Sequence, residues 1–195
     1  MNKKTDLFEI ADRQQGYFTA GQARDCGYHD SHFQRYIKSG EWLRIGRGMY
    51  RLARYPIAER PDLIEWSLWS RSKQGDVQGV WSHETALDLY DLCDIMPAKL
   101  HMTVPKYFRK SIITPSILKL YFSDLPQNDW IEQHGYRITT LIRTLLDLAK
   151  TRQISDEFIE QAVREGCRRG FLLQQQIDSL PETEAGFLIR KFYAR

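Results

Sequence analysis

The sequence lacks the features of membrane proteins and of disulfide-stabilised secreted proteins. No apolar run reaches the roughly 18 residues that a membrane helix needs, and the first residues lack the apolar stretch of a signal peptide. The few cysteines lie far apart and form no CxxC pair, which argues against a disulfide framework and a cysteine zinc site. We therefore expect a cytoplasmic protein without a metal or cofactor. Its three cysteines are expected to stay reduced: Cys26, Cys93 and Cys167.

The common motifs of catalysis are also missing: there is no P-loop, GxGxxG, GxSxG or HExxH. The sharpest candidate is Ser82-His83-Glu84 with His101, because histidines and a carboxylate can perform acid–base chemistry or hold a metal. No spacing forces these residues together, so hydrogen-bonded core histidines are the favoured interpretation. We expect a protein that is not an enzyme and assign no catalytic residue. A metal-dependent nuclease or nucleotidyl transferase using His83, Glu84 and His101 stays as an alternative.

Positive charge is concentrated in the first quarter of the chain. The net charge is +3, from 28 basic and 25 acidic residues. Residues 1–54 hold ten basic and six acidic residues, a balance of +4, and the remainder holds 18 and 19, a balance of −1. This asymmetry favours a polyanionic partner for the N-terminal part.

The first 55 residues predict a helix, a short strand, two further helices and a hairpin. Thr19-Ala-Gly-Gln22 is a capping box that opens the second helix, and Gly27 ends it. The third helix is predicted from a cap at Asp30 or Ser31 to about Lys38. Two short helices joined at a glycine are typical of a helix-turn-helix.

The third helix and the hairpin carry the predicted DNA contacts. Phe33 and Ile37 share the inner face of the helix, so its polar side chains are expected to point outward. Two alternating runs around Gly46-Arg47-Gly48 predict a β-hairpin, the wing of a winged helix. The predicted DNA-binding residues are His32, Gln34, Arg35 and Lys38 on the helix and Arg44, Arg47 and Arg51 around the wing.

Prolines at positions 56 and 61 predict a domain boundary, giving domains 1–55 and 56–195. Helical and alternating segments in the second domain predict a mixed α/β domain with a small, mainly antiparallel sheet flanked by helices. The fold class is therefore α+β. A C-terminal helix carries basic residues diluted by glutamates, which favours a solvated surface and leaves their role open: Arg164, Arg168 and Arg169.

In order along residues 5–170, the chain resembles the AbiEi antitoxins of bacterial type IV toxin–antitoxin systems. The resemblance rests on five segments: Gly16-Tyr-Phe-Thr-Ala-Gly-Gln-Ala23, Gly40-x-x-x-Arg44-x-Gly46-Arg-Gly48-x-Tyr50, Trp81-Ser-His-Glu-Thr-Ala-Leu87, His101-Met-Thr-Val-Pro105 and Thr140-Leu-Ile-Arg-Thr-Leu-Leu-Asp-Leu148.

The resemblance implies a winged-helix domain followed by an antitoxin domain. It implies a repressor of its own operon that binds inverted repeats in promoter DNA and a role in phage defence by abortive infection. It also implies antagonism of a nucleotidyltransferase-like toxin without a stable complex. A monomer or weak dimer that binds DNA cooperatively suits inverted repeats. A protein-interaction module that does not bind DNA is the remaining alternative.

Overall fold

The computed structural model describes residues 3–111 and 113–194, and contacts divide the chain into two compact units. The first unit runs to Gly79 and includes Glu132–Tyr136, and the second contains Val80–Ile131 and the residues from Arg137 onward. Within the described ranges, no helix is long and apolar enough to cross a membrane.

The first unit has the topology of a winged helix-turn-helix. Its antiparallel sheet has the order β1-β3-β2, with the β2–β3 hairpin as the wing. Both the predicted helix-turn-helix and the predicted hairpin are confirmed. The elements are α1 (Lys3–Asp12), β1 (Tyr17–Thr19), α2 (Ala20–Asp25), α3 (Asp30–Lys38), β2 (Trp42–Gly46), β3 (Met49–Leu52) and α4 (Pro61–Trp69).

Local sequence explains the boundaries of the two central helices. The Gln22 amide donates to Thr19 Oγ1 over 3.2 Å and the Thr19 amide donates to Gln22 Oε1 over 2.9 Å, so the predicted capping box forms. Gly27 has a φ of +82°, which side chains with a Cβ rarely adopt. The chain therefore leaves α2 there and enters α3 three residues later.

An aromatic cluster around Trp42 forms the core of the first unit. The Trp42 ring lies 4.8 Å from that of Phe18 and 5.3 Å from that of Phe33, measured between centroids. It also stacks on Tyr36 at 4.7 Å and contacts Tyr50 at 5.8 Å. The cluster therefore joins β1, α3 and the two strands of the wing.

Helix α4 belongs to the first unit, so the boundary predicted at residue 55 lies inside this unit. Ile64 and Leu68 of α4 pack against Tyr17 of β1, and all three side chains are buried. The prolines mark the start of α4, with Pro61 in its first turn, rather than the end of the unit.

In the part of the chain that the structure describes, the second unit combines a sheet with five α-helices, in agreement with the predicted α+β class. The sheet has the order β6-β5-β4-β8-β7. The elements are β4 (Val80–Trp81), α5 (His83–Tyr90), β5 (Leu100–Val104), β6 (Leu118–Phe122), β7 (Trp130–Gln133), β8 (Tyr136–Thr139), α6 (Leu141–Thr151), α7 (Asp156–Arg168), α8 (Gln174–Asp178) and α9 (Glu184–Tyr193).

This larger sheet is mixed, and the expectation of a mainly antiparallel sheet needs correction. Strand β4 pairs antiparallel with β5 but parallel with β8, and β5 pairs parallel with β6. Alternation of apolar and polar residues marks a strand but does not determine the direction of its neighbour. The helices pack on a core that includes Leu145, Leu148, Ile159, Val163 and Ile189.

Gly16, in the turn between α1 and β1, provides a test of how packing at this point affects the stability of the fold. Gly16 has a φ of +89°, and a Cβ at this position would lie 2.6 Å from Cγ of Tyr55. Gly75 has a φ of +99° with open space around it, so it shares the backbone strain without the clash.

We expect Gly16→Ala to lower the free energy of unfolding by about 3 kcal/mol, the sum of backbone strain and overpacking, and Gly75→Ala by about 1 kcal/mol. Urea denaturation followed by circular dichroism measures both. Equal losses in the two variants would show that Tyr55 gives way without cost.

Candidate nucleic-acid interface

Helix α3 presents one polar stripe away from the core of the first unit. Phe33 is buried and Ile37 is half-buried, and they mark the inner side of the helix. At 100° per residue, Ser31, Arg35 and Lys38 lie on the opposite side, and all three are exposed. The interior therefore holds the helix while this stripe faces solvent.

The other two predicted residues of α3 lie beside the stripe. On the helix surface Gln34 adjoins Lys38, four residues on, and His32 adjoins Arg35, three residues on, and both predicted residues are exposed. Sequence reasoning missed Ser31 because it was considered only as a helix cap. His29 is the N-cap in the structure, so Ser31 is a helical residue one turn before Arg35.

The wing exposes two of its three predicted arginines. Arg44 lies on β2 and Arg47 lies at the tip between two glycines, and both side chains are exposed. Gly48 has a φ of +70°, and the β2–β3 register shifts between Arg44 and Gly46. Glycines beside Arg47 leave room for the backbone of the tip to approach a phosphate closely.

The prediction for Arg51 needs correction, because this side chain is buried. Its residue is 6% exposed, its guanidinium lies over the ring of Tyr17 at 5.9 Å, and Nη2 donates to the carbonyl oxygen of Tyr55. Strand β3 is central in the three-stranded sheet, and Tyr50 and Arg51 are buried in succession. Both faces of β3 are therefore covered, and Arg51 is a structural residue.

The four remaining cations of the set have no acidic partner. Within the ranges that the structure describes, no carboxylate oxygen lies within 4.0 Å of the side-chain nitrogens of Arg35, Lys38, Arg44 or Arg47. Two other basic residues of the unit are paired, Lys4 with Glu41 and Arg24 with Asp30, each at 3.2 Å, whereas Arg13 and Arg54 are exposed. Among the described residues, α3 and the wing therefore display four exposed cations that take no part in these ion pairs.

The C-terminal arginines differ from this set because they are neutralised. Arg164 pairs with Glu160 at 2.8 Å, and Arg168 and Arg169 both bind Glu165. Hydrogen bonds from Arg168 and Arg169 lower the pKa of Glu165 to about 2. These ion pairs support the interpretation of a solvated helix surface.

The fold brings the residues of the candidate reaction centre together. His83 Nδ1 lies 2.9 Å from Ser82 Oγ, and His101 Nε2 lies 3.7 Å from Glu84 Oε1. The ring of His83 stacks on Tyr121 at a centroid distance of 3.5 Å, a contact that no motif indicated. The two histidines are 5% and 3% exposed, and burial lowers the pKa of His83 to about 3 and that of His101 to about 4.

This cluster has the character of a hydrogen-bonded core. Thr103 Oγ1 donates to Ser82 Oγ at 2.8 Å, and Tyr121 donates to Gln153 at 2.8 Å. Among the described residues, no group of three or more histidine, cysteine, aspartate and glutamate side chains could hold a metal ion.

The topology and the exposed cations define the first unit as a winged helix of the DNA-binding class. Residues 6–53 match the family described as "Transcriptional regulator, AbiEi antitoxin". This match confirms the family resemblance over the winged helix, and it supports a DNA-binding antitoxin as the general role.

Structural similarity extends beyond the winged helix. The chain is similar to the crystal structure of the RV2827C protein from Mycobacterium tuberculosis, with a TM-score of 0.51 and 11% sequence identity. The alignment covers 100% of this chain and 77% of that one. At this identity the likeness concerns the fold alone. No curated protein sequence matches the chain.

Arg51 is buried whereas Arg47, on the same hairpin, is exposed, so the two arginines should differ in their contribution to stability. We expect Arg51→Ala to lower the free energy of unfolding by about 2 kcal/mol, because it removes a charged hydrogen bond and a cation–π contact. Arg47→Ala is the matched control and should change it by less than about 0.5 kcal/mol. Urea denaturation compares them, and equal stability of the two variants would contradict the structural role of Arg51.

The buried histidines predict a loss of stability in mild acid. In the unfolded chain both imidazoles have pKa values near 6.5, so below that pH the unfolded state binds more protons than the folded state. Stability should therefore fall as the pH drops from about 6.5 towards 4, by up to about 1.4 kcal/mol per pH unit for each histidine.

Replacing one of them should flatten this dependence. Between pH 7.0 and 5.0, we expect His101→Gln to lose about 2 kcal/mol less stability than the unsubstituted protein. His32→Gln, at an exposed position, should leave the dependence unchanged. Urea denaturation at the two pH values provides the measurement, and parallel losses in all three proteins would contradict the assignment.

Proposed function

We propose that the protein is a DNA-binding autorepressor and antitoxin of a type IV toxin–antitoxin operon, acting in the cytoplasm and without catalysis. The observation that carries this proposal is the set of four exposed, unpaired cations on α3 and the wing. A winged helix uses these two elements to contact duplex DNA. The AbiEi match over residues 6–53 supports the same role.

The residues of the stripe would divide between base reading and phosphate binding. Arg35 lies at the centre of the stripe and is the residue best suited to donate to guanine O6 and N7, with Ser31 and His32 beside it. Lys38 and the wing cations Arg44 and Arg47 would bind phosphates, which position the protein without reading sequence.

The family suggests the partners that the geometry does not identify. Inverted repeats in the operon's own promoter would accommodate two protomers, bound cooperatively. The antagonist would be a nucleotidyltransferase-like toxin encoded beside this chain, opposed without a stable complex, in defence against phage.

Salt dependence tests the phosphate contacts. With three phosphates neutralised per protomer, by Lys38, Arg44 and Arg47, log K for promoter DNA should fall against log salt with a slope of about −2.7. Arg47→Ala should reduce the slope by about 0.9 and weaken promoter and random duplexes equally. Arg35→Ala should in addition reduce the preference for promoter DNA, by about 1–3 kcal/mol.

Fluorescence anisotropy with labelled duplexes measures these constants. Arg164→Ala is the matched control, because that arginine is already paired with Glu160 and should leave both the slope and the preference unchanged. A binding constant that does not respond to salt would refute the proposal. Coelution with the toxin, combined with indifference to DNA, would favour the protein-interaction module instead.

A further inference from the structure

The second unit contains a strongly basic stretch that the near-neutral charge of the chain after residue 54 does not reveal. Residues 95–123 contain five basic residues and no acidic one: Lys99, Lys106, Arg109, Lys110 and Lys119. Acidic residues make up 25 of the 195 in the chain, so 29 consecutive residues would on average hold between three and four. The stretch covers β5, β6 and the segment between them.

Three of these cations lie in or next to a tight turn that follows β5: Lys106 within it, and Arg109 and Lys110 directly after it. The amide of Phe108 donates to the carbonyl oxygen of Pro105 over 2.9 Å, and the amide of Lys106 donates to Asp124 Oδ1 over 3.2 Å. Phe108 is buried and anchors the turn in the second unit. These contacts fix the backbone of the turn, whereas the side chain at its tip is exposed to solvent.

The tip of this turn carries an exposed aromatic ring. Tyr107 occupies the third position of the turn and is 86% exposed. Lys106 precedes it and Arg109 follows two residues later, and both are exposed. Burial of an aromatic ring is strongly favourable, so a ring held in water between two cations is suited to an anionic partner with flat apolar faces.

A second exposed ring lies beside the turn. Phe122, at the end of β6, is 54% exposed and is paired in register with Val104, the last residue of β5. The amide of Ser123 donates to the carbonyl oxygen of Val104 over 2.9 Å, so Phe122 is held next to the start of the turn. Tyr107 and Phe122 thus emerge at the same end of the β5–β6 pair.

We propose that Tyr107 and Phe122, with Arg109, form a binding surface for single-stranded nucleic acid. Unpaired bases stack on exposed aromatic rings, and cations beside the rings follow the backbone phosphates. A duplex shows its base faces only at its ends, so the exposed rings favour a single strand. This surface belongs to the second unit and does not depend on α3 or the wing.

Charge favours nucleic acid over a protein partner at this surface. Asp124 is the acidic residue that contacts the turn, and it is occupied by Lys106, through the backbone amide and an ion pair of 3.8 Å. Arg109, two residues after the exposed ring, donates to the carbonyl oxygen of Phe108 over 2.8 Å and is exposed. A polyanion with unpaired bases matches both the charge and the rings.

Anisotropy titrations with labelled dT15 and U15 test this proposal in the full chain. Stacking of a base on Tyr107 should make Tyr107→Ala bind about 10-fold more weakly, whereas Tyr107→Phe should retain the affinity. Arg109→Ala should reduce the salt slope by about 0.7. Phe187→Ala, which removes an exposed ring from α9, is the matched control and should change nothing.

Further variants separate this surface from the winged helix. The Arg35→Ala/Arg47→Ala double variant should lose duplex binding but keep the affinity for the single strands. The proposal is overturned if that variant loses both while Tyr107→Ala loses neither, or if neither strand binds. Loss of toxin copurification in Tyr107→Ala, without affinity for either oligonucleotide, would instead assign the surface to a protein and also overturn it. The ratio of the binding constants for dT15 and U15 shows whether the surface prefers single-stranded DNA or single-stranded RNA.

Discussion

The packing of aromatic rings around Trp42 is the interaction on which the candidate interface depends. Trp42 begins β2, and its ring contacts side chains from β1, α3 and β3. Because edge-to-face and stacked pairs have preferred geometries, the cluster restrains α3 relative to the wing. Two short helices and a four-residue strand could not hold this arrangement through backbone hydrogen bonds alone. The cations of both elements are therefore displayed from one rigid base.

Burial and ion pairing together decide which basic residues can contact a polyanion. Arg47 and Arg51 lie four residues apart on the same hairpin, yet one is at an exposed tip and the other is packed over Tyr17. Arg168 is exposed like Arg47, but Glu165 neutralises it. Only residues that are both exposed and unpaired release counterions from DNA without first breaking a contact of their own.

The second unit contrasts two kinds of polar feature. Around His83, polar groups are buried and satisfy one another, and the neutral imidazoles contribute to stability at neutral pH. At the turn of Tyr107, an aromatic ring and cations are exposed to solvent, where a partner can contact them. The first arrangement is typical of a structural core, whereas the second is typical of a recognition surface.

Much of the winged helix could be predicted from the sequence, because its signals are local. Thr19 and Gln22 cap a helix within one turn, Gly27 ends it, and the glycines beside Arg47 mark a hairpin tip. The inner face of α3 likewise follows from the spacing of Phe33 and Ile37. Long-range packing decided the rest. Tertiary structure alone buried Arg51 in a central strand, made the larger sheet mixed and joined α4 to the first unit, because each depends on neighbours far away in the chain. It also paired Phe122 with Val104, at the end of β5 where the turn of Tyr107 begins, since strand pairing brings together residues that no local pattern relates.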